Sequence, residues 1–342
     1  MDDLIQSEAE LENRLSTPGP EEVSLFRELE GDLIVIGAAG KMGPSLARRA
    51  ARAVRAAGVK KRILGVSRFS EPGTERFLQE AGVETLRADL LDPASFATLP
   101  DAANVIFMAG RKFGSTGAES LTWAMNAYVP ALVAQRYRGS RIVAFSSGNV
   151  YPLVPLYSGG ATEDRQPEPV GEYAQSVLAR ERLLEHFSRA YGTPVTLLRL
   201  NYATDLRYGV LLDIGTRVFQ ERSVDVTMAA VNVIWQGDAN SVALRSLTLS
   251  QSPPLVLNLT GPETLSVRAV AELFGEIFGK KLIIEGDEAP TALLSNAARC
   301  HRLLGFPSVT ARQIIDWTAH WIRIGGPTLG KPTHFESRDG RF

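Results

Sequence analysis

Short, mainly apolar runs alternate with longer helical stretches from about residue 32 onward. The runs lie at residues 33–36, 63–66, 83–86, 105–108, 142–145, 195–198 and 255–259. Helix-like stretches such as residues 44–57 and 173–190 fill the intervals between them. Apolar strands that alternate with helices are typical of a parallel sheet buried on both faces. We therefore predict an α/β fold with a doubly wound parallel sheet.

A glycine-rich turn separates the first predicted strand from the first long helix. Residues 37–43 read Gly-Ala-Ala-Gly-Lys-Met-Gly. Glycines at this spacing let backbone amides at a helix N-terminus approach a pyrophosphate, as in Rossmann-like folds. An ordinary strand-to-helix turn is the alternative, and the position in the first βα unit favours a dinucleotide site. The predicted cofactor contacts in this turn are Gly37, Ala39, Gly40, Lys41, Met42 and Gly43.

The residues after the next strands suggest which dinucleotide binds. The second strand ends in Ser67 and Arg68 instead of an acidic residue. Because a guanidinium can pair with a 2′-phosphate, this ending favours NADP over NAD, although a surface arginine would look the same. Asp89 and Leu90 follow the third strand and are predicted to border the adenine, although Asp89 equally fits a turn cap. Ala109 and Gly110 follow the fourth strand and leave room beside the dinucleotide.

The late seventh run predicts that the chain leaves the sheet and returns to it. We expect a helical lead-in at residues 1–30 and a dinucleotide-binding domain at 31–202 plus about 231–261. A smaller C-terminal substrate-binding lobe is expected at about 203–230 plus 262–325. The tail at 326–342 is rich in Gly, Pro, Lys and Arg, and it either frays or wraps the body.

Composition narrows the possible partners and the compartment. The 342 residues include 37 basic and 38 acidic side chains, so nucleic acid and membrane surfaces are poor candidate partners. With one cysteine, Cys300, and four histidines, neither an internal disulfide nor a metal site is expected. The acidic N-terminus lacks signal-peptide features, and no apolar run approaches the roughly 20 residues of a membrane span. We therefore expect a cytoplasmic protein.

A serine and a tyrosine carry the candidate chemistry. Ser147 follows the fifth strand, at the carboxyl edge where parallel sheets bind ligands, and Tyr173 opens a helix. If both hydroxyls converge on one substrate oxygen, Tyr173 can pass the proton while Ser147 holds the oxygen. A free tyrosine has a pKa of about 10, so it needs a nearby positive charge to act as a base near neutrality.

These motifs together resemble the extended short-chain dehydrogenase/reductases, the NAD-dependent epimerase/dehydratase family, across roughly residues 32–322. The matching pieces are residues 37–43, 88–90, 108–112, Asn126, 146–151, Tyr173 and 303–306. The resemblance implies a Rossmann-like fold and hydride transfer between nicotinamide and a sugar, nucleotide sugar or related polyol. It also implies a homodimer, paired through helices at about residues 118–137 and 173–190.

The resemblance assigns further residues to the site. The loop at residues 109–112 looks like that of UDP-glucose 4-epimerases, which implies that Lys112 lies near the nicotinamide end of the cofactor; an exposed loop lysine is the alternative. Asn126 is implied on the cofactor side, and Asn149 on the substrate side. Asn201 and Tyr202 follow the sixth strand, where they would flank the nicotinamide and substrate or cap the strand end.

One position departs from the family pattern of Tyr, three residues and Lys, because residue 177 is Val. The family lysine binds the nicotinamide ribose and lowers the pKa of the tyrosine, and Val can do neither. Arg180, on the same helical face, and Lys112 are candidates to supply the positive charge. We predict an NADP-dependent oxidoreductase or epimerase, with a non-catalytic NADP(H)-binding sensor or scaffold as the alternative. A dehydratase is disfavoured because Gly148 and Asn149 offer no acidic pair.

Overall fold

The computed structural model describes residues 4–112, 114–331 and 333–341. The helices are α1 (Glu8–Ser16), α2 (Pro20–Glu28), α3 (Gly43–Ala57), α4 (Thr74–Glu80), α5 (Pro93–Thr98), α6 (Glu119–Trp123), α7 (Val129–Arg136), α8 (Gly171–Tyr191), α9 (Val210–Phe219), α10 (Gln236–Arg245), α11 (Val267–Phe278), α12 (Ala298–Leu304) and α13 (Ala311–Arg323). A π-helical turn at Ala124–Tyr128 joins α6 to α7. Within the described residues, every helix is too short or too polar to span a bilayer.

The strands comprise one large set and several two-residue pieces. They are β1 (Leu33–Ile36), β2 (Ile63–Ser67), β3 (Glu84–Arg87), β4 (Asn104–Phe107), β5 (Arg141–Ser147), β6 (Val154–Pro155), β7 (Val195–Leu200), β8 (Ala203–Thr204), β9 (Val224–Asp225), β10 (Ala230–Val231), β11 (Ile234–Trp235), β12 (Leu255–Leu259), β13 (Leu265–Ser266), β14 (Ile284–Glu285) and β15 (Thr291–Ala292).

The seven runs predicted from sequence form one seven-stranded parallel sheet. Its order is β12-β7-β5-β4-β1-β2-β3, and each neighbouring pair is parallel. The predicted doubly wound α/β fold is therefore confirmed. Because the chain order reverses between β1 and β4, a crevice opens at the carboxyl ends of these two strands, where such sheets bind ligands. The third strand is displaced by one residue from the predicted 83–86 and forms the partly exposed sheet edge.

Buried hydrophobic side chains cover both faces of this sheet. On one face, α2, α3 and α10 pack around residues such as Phe26 and Leu46. On the other face, α5, α7 and α8 enclose Phe107, Tyr137 and Leu184. Both faces of the strands are therefore removed from water, which explains why their sequences are nearly continuous apolar runs.

A third hydrophobic cluster gathers later parts of the chain and both termini. It joins α9, α11 and α13 to Leu11 and Leu15 of α1, and it includes Phe335 from the tail. The Thr333 backbone N–H and hydroxyl donate hydrogen bonds to Asp213 at 2.8 and 2.6 Å. The tail residues described here thus pack against the body of the protein.

A buried polar network fixes α8 on the sheet. Arg199 of β7 donates to both carboxylate oxygens of Glu181 in α8, at 2.9 and 2.7 Å. The Ser146 hydroxyl also donates to Glu181, and Arg199 donates to the Tyr151 hydroxyl at 2.7 Å. Burial opposes the charge of Arg199, but the ion pair with Glu181 outweighs it and raises the Arg199 pKa. The Tyr151 hydroxyl donates a hydrogen bond to the side-chain oxygen of Asn258, which extends the network to β12.

Candidate cofactor and catalytic site

The glycine turn after β1 is shaped by contacts that only glycine permits. Gly37 has a φ of +96°, and a Cβ there would lie 2.6 Å from the Ala109 backbone nitrogen. A Cβ at Gly43 would lie 2.5 Å from the Ala38 carbonyl oxygen, while the Gly40 N–H donates to the Gly37 carbonyl at 3.0 Å. The missing side chains leave a backbone cradle at the β1–β4 crevice, so these residues fit a dinucleotide.

The residues predicted to meet the adenosine lie at the ends of β2 and β3. Ser67 is half-buried and Arg68 is exposed, and Arg68 makes no hydrogen bond or ion pair to another described residue. Asp89 is exposed and accepts a hydrogen bond from the Leu91 N–H at 3.0 Å, so it does cap a turn. Leu90 is buried against one face of the sheet.

Asn126 ties the loop after β4 to α8. Its side-chain oxygen accepts a hydrogen bond from the Arg111 N–H at 2.8 Å, and its amide donates to the Arg111 carbonyl at 2.9 Å and to the Ser176 hydroxyl at 3.0 Å. The π-helical turn carries Asn126 into this buried position. Because its polar atoms are bonded to protein groups, Asn126 positions the loop that contains Ala109 and Lys112.

Ser147 and Tyr173 come together where β5 ends and α8 begins. The Ser147 hydroxyl donates a hydrogen bond to the Asn149 side-chain oxygen at 2.9 Å and is also hydrogen-bonded to the Tyr173 hydroxyl. Burial raises the pKa of Tyr173, whereas the hydrogen bond to Ser147 and the charge of Arg180 lower it. The net shift is upward, so Tyr173 is protonated at neutral pH.

Val177, which we predict to stand at the family lysine position, and the nearby Arg180 have different surroundings. Val177 is 1% exposed within the apolar cluster of α9, α11 and α13. The Arg180 guanidinium donates to the Phe145 carbonyl at 2.6 Å and to the Asn126 side-chain oxygen at 3.0 Å. It packs so closely against Gly110 that a Cβ there would lie 2.7 Å from Nη2. A side chain at residue 110 would therefore displace the guanidinium from this position.

Arg180 is a buried cation held by neutral oxygens. Burial lowers its pKa to about 10, so the guanidinium remains charged at neutral pH. The neighbouring carboxylate, Glu181, is already engaged by Arg199. The charge of Arg180 acts on Tyr173 and lowers the tyrosine pKa. A positive charge thus stands beside the tyrosine even though the lysine position is apolar.

A cavity of about 140 Å³ brings all the predicted catalytic and substrate residues together. The predicted residues that line it are Lys41, Met42, Lys112, Ser147, Asn149, Tyr173, Asn201 and Tyr202. The remaining lining residues were not predicted from the sequence, and they are Ser146, Leu200, Ala203, Tyr208, Gly209, Val210 and Thr333. The remaining predicted cofactor residues lie outside this lining. Another cavity, beside Asp32 and Ser140, lies at the opposite, amino-terminal edge of the sheet.

Two lysines extend into this cavity from different loops. The Lys41 ammonium donates to the Ala203 carbonyl at 2.7 Å and lies 4.5 Å from the centre of the Tyr208 ring. The Lys112 ammonium lies 5.9 Å from the centre of the Tyr173 ring. Burial lowers the pKa of each lysine to about 8. The glycine-turn spacing indicated only a backbone role for Lys41 and gave no signal for this side-chain contact.

Asn201 and Tyr202 form the cavity wall beyond β7. The Asn201 amide donates to the Leu293 carbonyl at 3.4 Å, and the side chain is 2% exposed. Tyr202 has a φ of +46°, which is unusual for a residue other than glycine, and burial raises its pKa. A strained backbone conformation held beside a cavity is a common feature of ligand sites.

The fold and the glycine cradle define a dinucleotide-binding α/β protein. The model of the NAD dependent epimerase/dehydratase family matches residues 33–203, half of the chain. The chain belongs to this family, as its motifs indicated, and is therefore an enzyme of the NAD-dependent epimerase/dehydratase type. No curated protein matches the chain in sequence.

Solved structures of UDP-sugar epimerases share the fold. A UDP-glucuronic acid 4-epimerase from Bacillus cereus is 16% identical with a TM-score of 0.72, covering 85% of this chain and 99% of its own. A Thermus thermophilus UDP-glucose 4-epimerase is 20% identical with a TM-score of 0.69, over 85% and 99%. A UDP-glucose 4-epimerase from Thermotoga maritima is 17% identical with a TM-score of 0.69, over 85% and 98%.

Proposed function

We propose that the chain is an NADP-dependent oxidoreductase or epimerase that acts on a sugar, a nucleotide sugar or a related polyol. The observation that carries this proposal is the hydrogen-bonded pair of Tyr173 and Ser147 at one cavity, with the buried Arg180 cation beside the tyrosine. The structural neighbours from B. cereus and T. maritima were solved with nucleotide sugars, which supports this substrate class.

Each catalytic side chain has a defined task in this mechanism. When bound, the nicotinamide supplies an acceptor for the hydride of a substrate carbinol. During oxidation the ionised phenolate of Tyr173 takes the proton from the substrate oxygen, and during reduction the resulting Tyr173 hydroxyl returns that proton. Ser147, oriented by its hydrogen bond to Asn149, holds that oxygen. Arg180 stabilises the ionised tyrosine in the role of the family lysine, and Lys112 adds a second positive charge near the ring.

The cofactor is proposed to lie over the glycine cradle, between the ends of β1 and β4. Arg68 favours NADP because its guanidinium is exposed and makes no hydrogen bond or ion pair to the described parts of the chain, so pairing with a 2′-phosphate breaks nothing. NAD is the alternative, since the T. thermophilus and B. cereus structures were solved with it. Arg68 is the residue that decides between the two dinucleotides.

We further propose the division predicted from sequence, with a cofactor-binding domain at residues 31–202 plus about 231–261. The substrate-binding lobe then comprises about 203–230 plus 262–325. The packing of α9, α11 and α13 in one hydrophobic cluster supports this lobe, and residues such as Val154 and Trp235 of the cofactor-binding domain join the same cluster at the boundary. α1 contributes apolar side chains to the same cluster, so the lead-in at residues 1–30 is proposed to brace the lobe.

A homodimer paired through the two helical segments also remains our proposal. The segment from α6 to the π-helical turn exposes Leu121, Trp123 and Tyr128, and Trp123 donates a hydrogen bond to Glu172 at the start of α8. Exposed aromatic side chains at adjoining helices are typical of contact surfaces between subunits. Size measurement at graded concentrations, with a Tyr128→Glu variant as the disrupted form, tests it.

A second function, a cofactor-binding sensor or scaffold without catalysis, is favoured by one observation. Val177 lies within an apolar cluster and is 1% exposed. Its side chain therefore packs in the hydrophobic core and takes no part in catalysis. In that case Tyr173 only binds the ligand, and the cofactor cradle is retained for sensing.

Nicotinamide absorbance separates the two functions. The purified protein is loaded with NADP, or with NAD in parallel, and sugars and nucleotide sugars are added one by one. The oxidoreductase predicts an absorbance rise with one substrate class. Because an epimerase returns the hydride to the sugar, the sugars are also analysed for epimerised product. Demonstrable cofactor binding with a flat trace and no epimerised product for every substrate would instead favour the sensor, and binding of neither dinucleotide would refute both functions.

A further inference from the structure

The cavity beside Tyr173 has an unbalanced set of charged side chains. Its described lining includes two lysines, Lys41 and Lys112, and no aspartate or glutamate. The lysines come from the glycine turn and from the loop after β4, so positive charge reaches the cavity from two separate elements. A neutral sugar gains little from such a lining, whereas an anionic group gains charge-assisted hydrogen bonds.

Lys41 lies on the side of the cavity formed by the proposed substrate lobe. Its ammonium contacts the Ala203 carbonyl and the Tyr208 ring, and both residues belong to the segment that follows β7. Lys112 instead lies near the ring of Tyr173. The two lysines therefore have different surroundings, and Lys41 is the one placed to meet a substrate group away from the reacting carbon.

Two carboxylates near this part of the cavity, Asp205 and Asp213, are engaged with other groups, and the charge of a third, Glu336, acts on Tyr202. Asp205 favours the charged form of Lys41, but it accepts hydrogen bonds from the Arg207 N–H and guanidinium at 2.7 and 3.2 Å. Asp213 accepts two hydrogen bonds from Thr333. Burial outweighs the charge of Asp205 and, together with the charge of Arg207, lowers the pKa of Lys41. An anionic ligand would therefore stabilise the Lys41 ammonium more than the surrounding protein does.

We propose that the substrate is an acidic sugar of the uronic acid type, and that Lys41 binds its carboxylate while the carbinol to be oxidised faces Tyr173. This inference rests on the proposed function and specifies its substrate class. The Lys41 ammonium keeps its hydrogen bond to the Ala203 carbonyl and uses its remaining donors for the carboxylate.

A matched pair of ligands tests the proposal by binding, without requiring turnover. UDP-glucuronate and UDP-glucose differ only in a carboxylate or a hydroxymethyl group at C6. Calorimetric titration of the NADP-loaded protein is expected to show about tenfold or tighter binding of UDP-glucuronate, because the buried ion pair adds to its affinity. Lys41→Met should remove most of this preference and Lys41→Arg should keep it. Lys60→Met, which removes an exposed lysine elsewhere, should leave it unchanged.

Several outcomes overturn the inference. Equal binding of the two sugars, a preference for UDP-glucose, or binding of neither sugar to the wild-type protein contradicts an acidic substrate. If Lys41→Met weakens both sugars equally, Lys41 binds their common diphosphate; if it weakens only NADP, it serves the cofactor. Lys41→Gln replaces the methionine variant if circular dichroism shows that the latter is unfolded. Lys41-dependent binding of UDP-glucuronate with no nicotinamide absorbance change would refute the redox function alone.

Discussion

The glycine turn after β1 and the first three turns of α8 meet at the same cavity, which Lys41 and Tyr173 line, but they are specified in different ways. The turn is defined by backbone contacts, such as the approach of Gly37 to Ala109, that any added side chain would block. The start of α8 is defined by side chains, and there Val177 departs from the family pattern while Arg180 supplies a positive charge. The spacing of the glycines in the sequence indicates where a side chain must be absent. A long side chain, by contrast, can supply its charge from more than one position in the helix, so residue spacing does not identify it.

A positive charge is thus present beside Tyr173, although it is carried by Arg180 and residue 177 is Val. Arg180 stands one turn beyond Val177, and its guanidinium is anchored by Phe145 and Asn126. Gly110 provides the space for it. The cofactor cradle and the catalytic pair can thus be tested separately, since changes at one should leave the other intact.

The largest effect is expected at the catalytic end. Tyr173→Phe removes the hydroxyl that exchanges the proton, so turnover should fall by about 10³-fold, within the range for general acid–base groups. The glycine turn is untouched, and the dissociation constant of NADP should change less than about twofold. Steady-state kinetics and fluorescence titration measure the two quantities. Unchanged turnover would remove Tyr173 from the mechanism.

A change in the glycine cradle is expected to weaken the binding of NADP rather than act directly on the proton transfer. Gly37→Ala places a Cβ 2.6 Å from the Ala109 backbone nitrogen, at a residue whose φ is +96°. The clash should displace the loop after β4, and NADP should therefore bind about 100-fold more weakly. Gly58→Ala is the matched control, because Gly58 also has a positive φ but nothing lies within 4 Å of its Cβ position. The control should lose about 1 kcal/mol of stability and keep its affinity. Equal losses of NADP affinity in both variants would contradict a steric role for Gly37.

A smaller effect concerns the choice of dinucleotide. Arg68→Met removes the exposed guanidinium after β2, and we expect the preference for NADP over NAD to fall about tenfold, the value of one charge-assisted contact of roughly 1.5 kcal/mol. Competition titrations of both dinucleotides give the ratio. The affinity for NAD itself should hardly change. A preference for NADP that survives the substitution would assign the 2′-phosphate to another residue.

The sequence predicted the sheet because strands buried on both faces leave uninterrupted apolar runs. It also located Ser147 and Tyr173, since one follows a strand and the other opens a helix at the ligand-binding edge. Tyr208 and Thr333 escaped prediction because they reach the cavity from a loop and the tail, without a periodic pattern. Lys41 and Ala203 are 162 residues apart in the sequence, so the residues around either one could not predict their contact.

The central claim is that Arg180 replaces the family lysine, and the pH profile of substrate oxidation tests it most directly. Because the charge of Arg180 lowers the pKa of Tyr173, Arg180→Met should move the rise of kcat/KM to higher pH. A second substitution, Val177→Lys, made together with Arg180→Met should move it back by returning the charge. Lys112→Met should shift it less. A profile that does not move in Arg180→Met, or that the added lysine does not restore, would contradict the account.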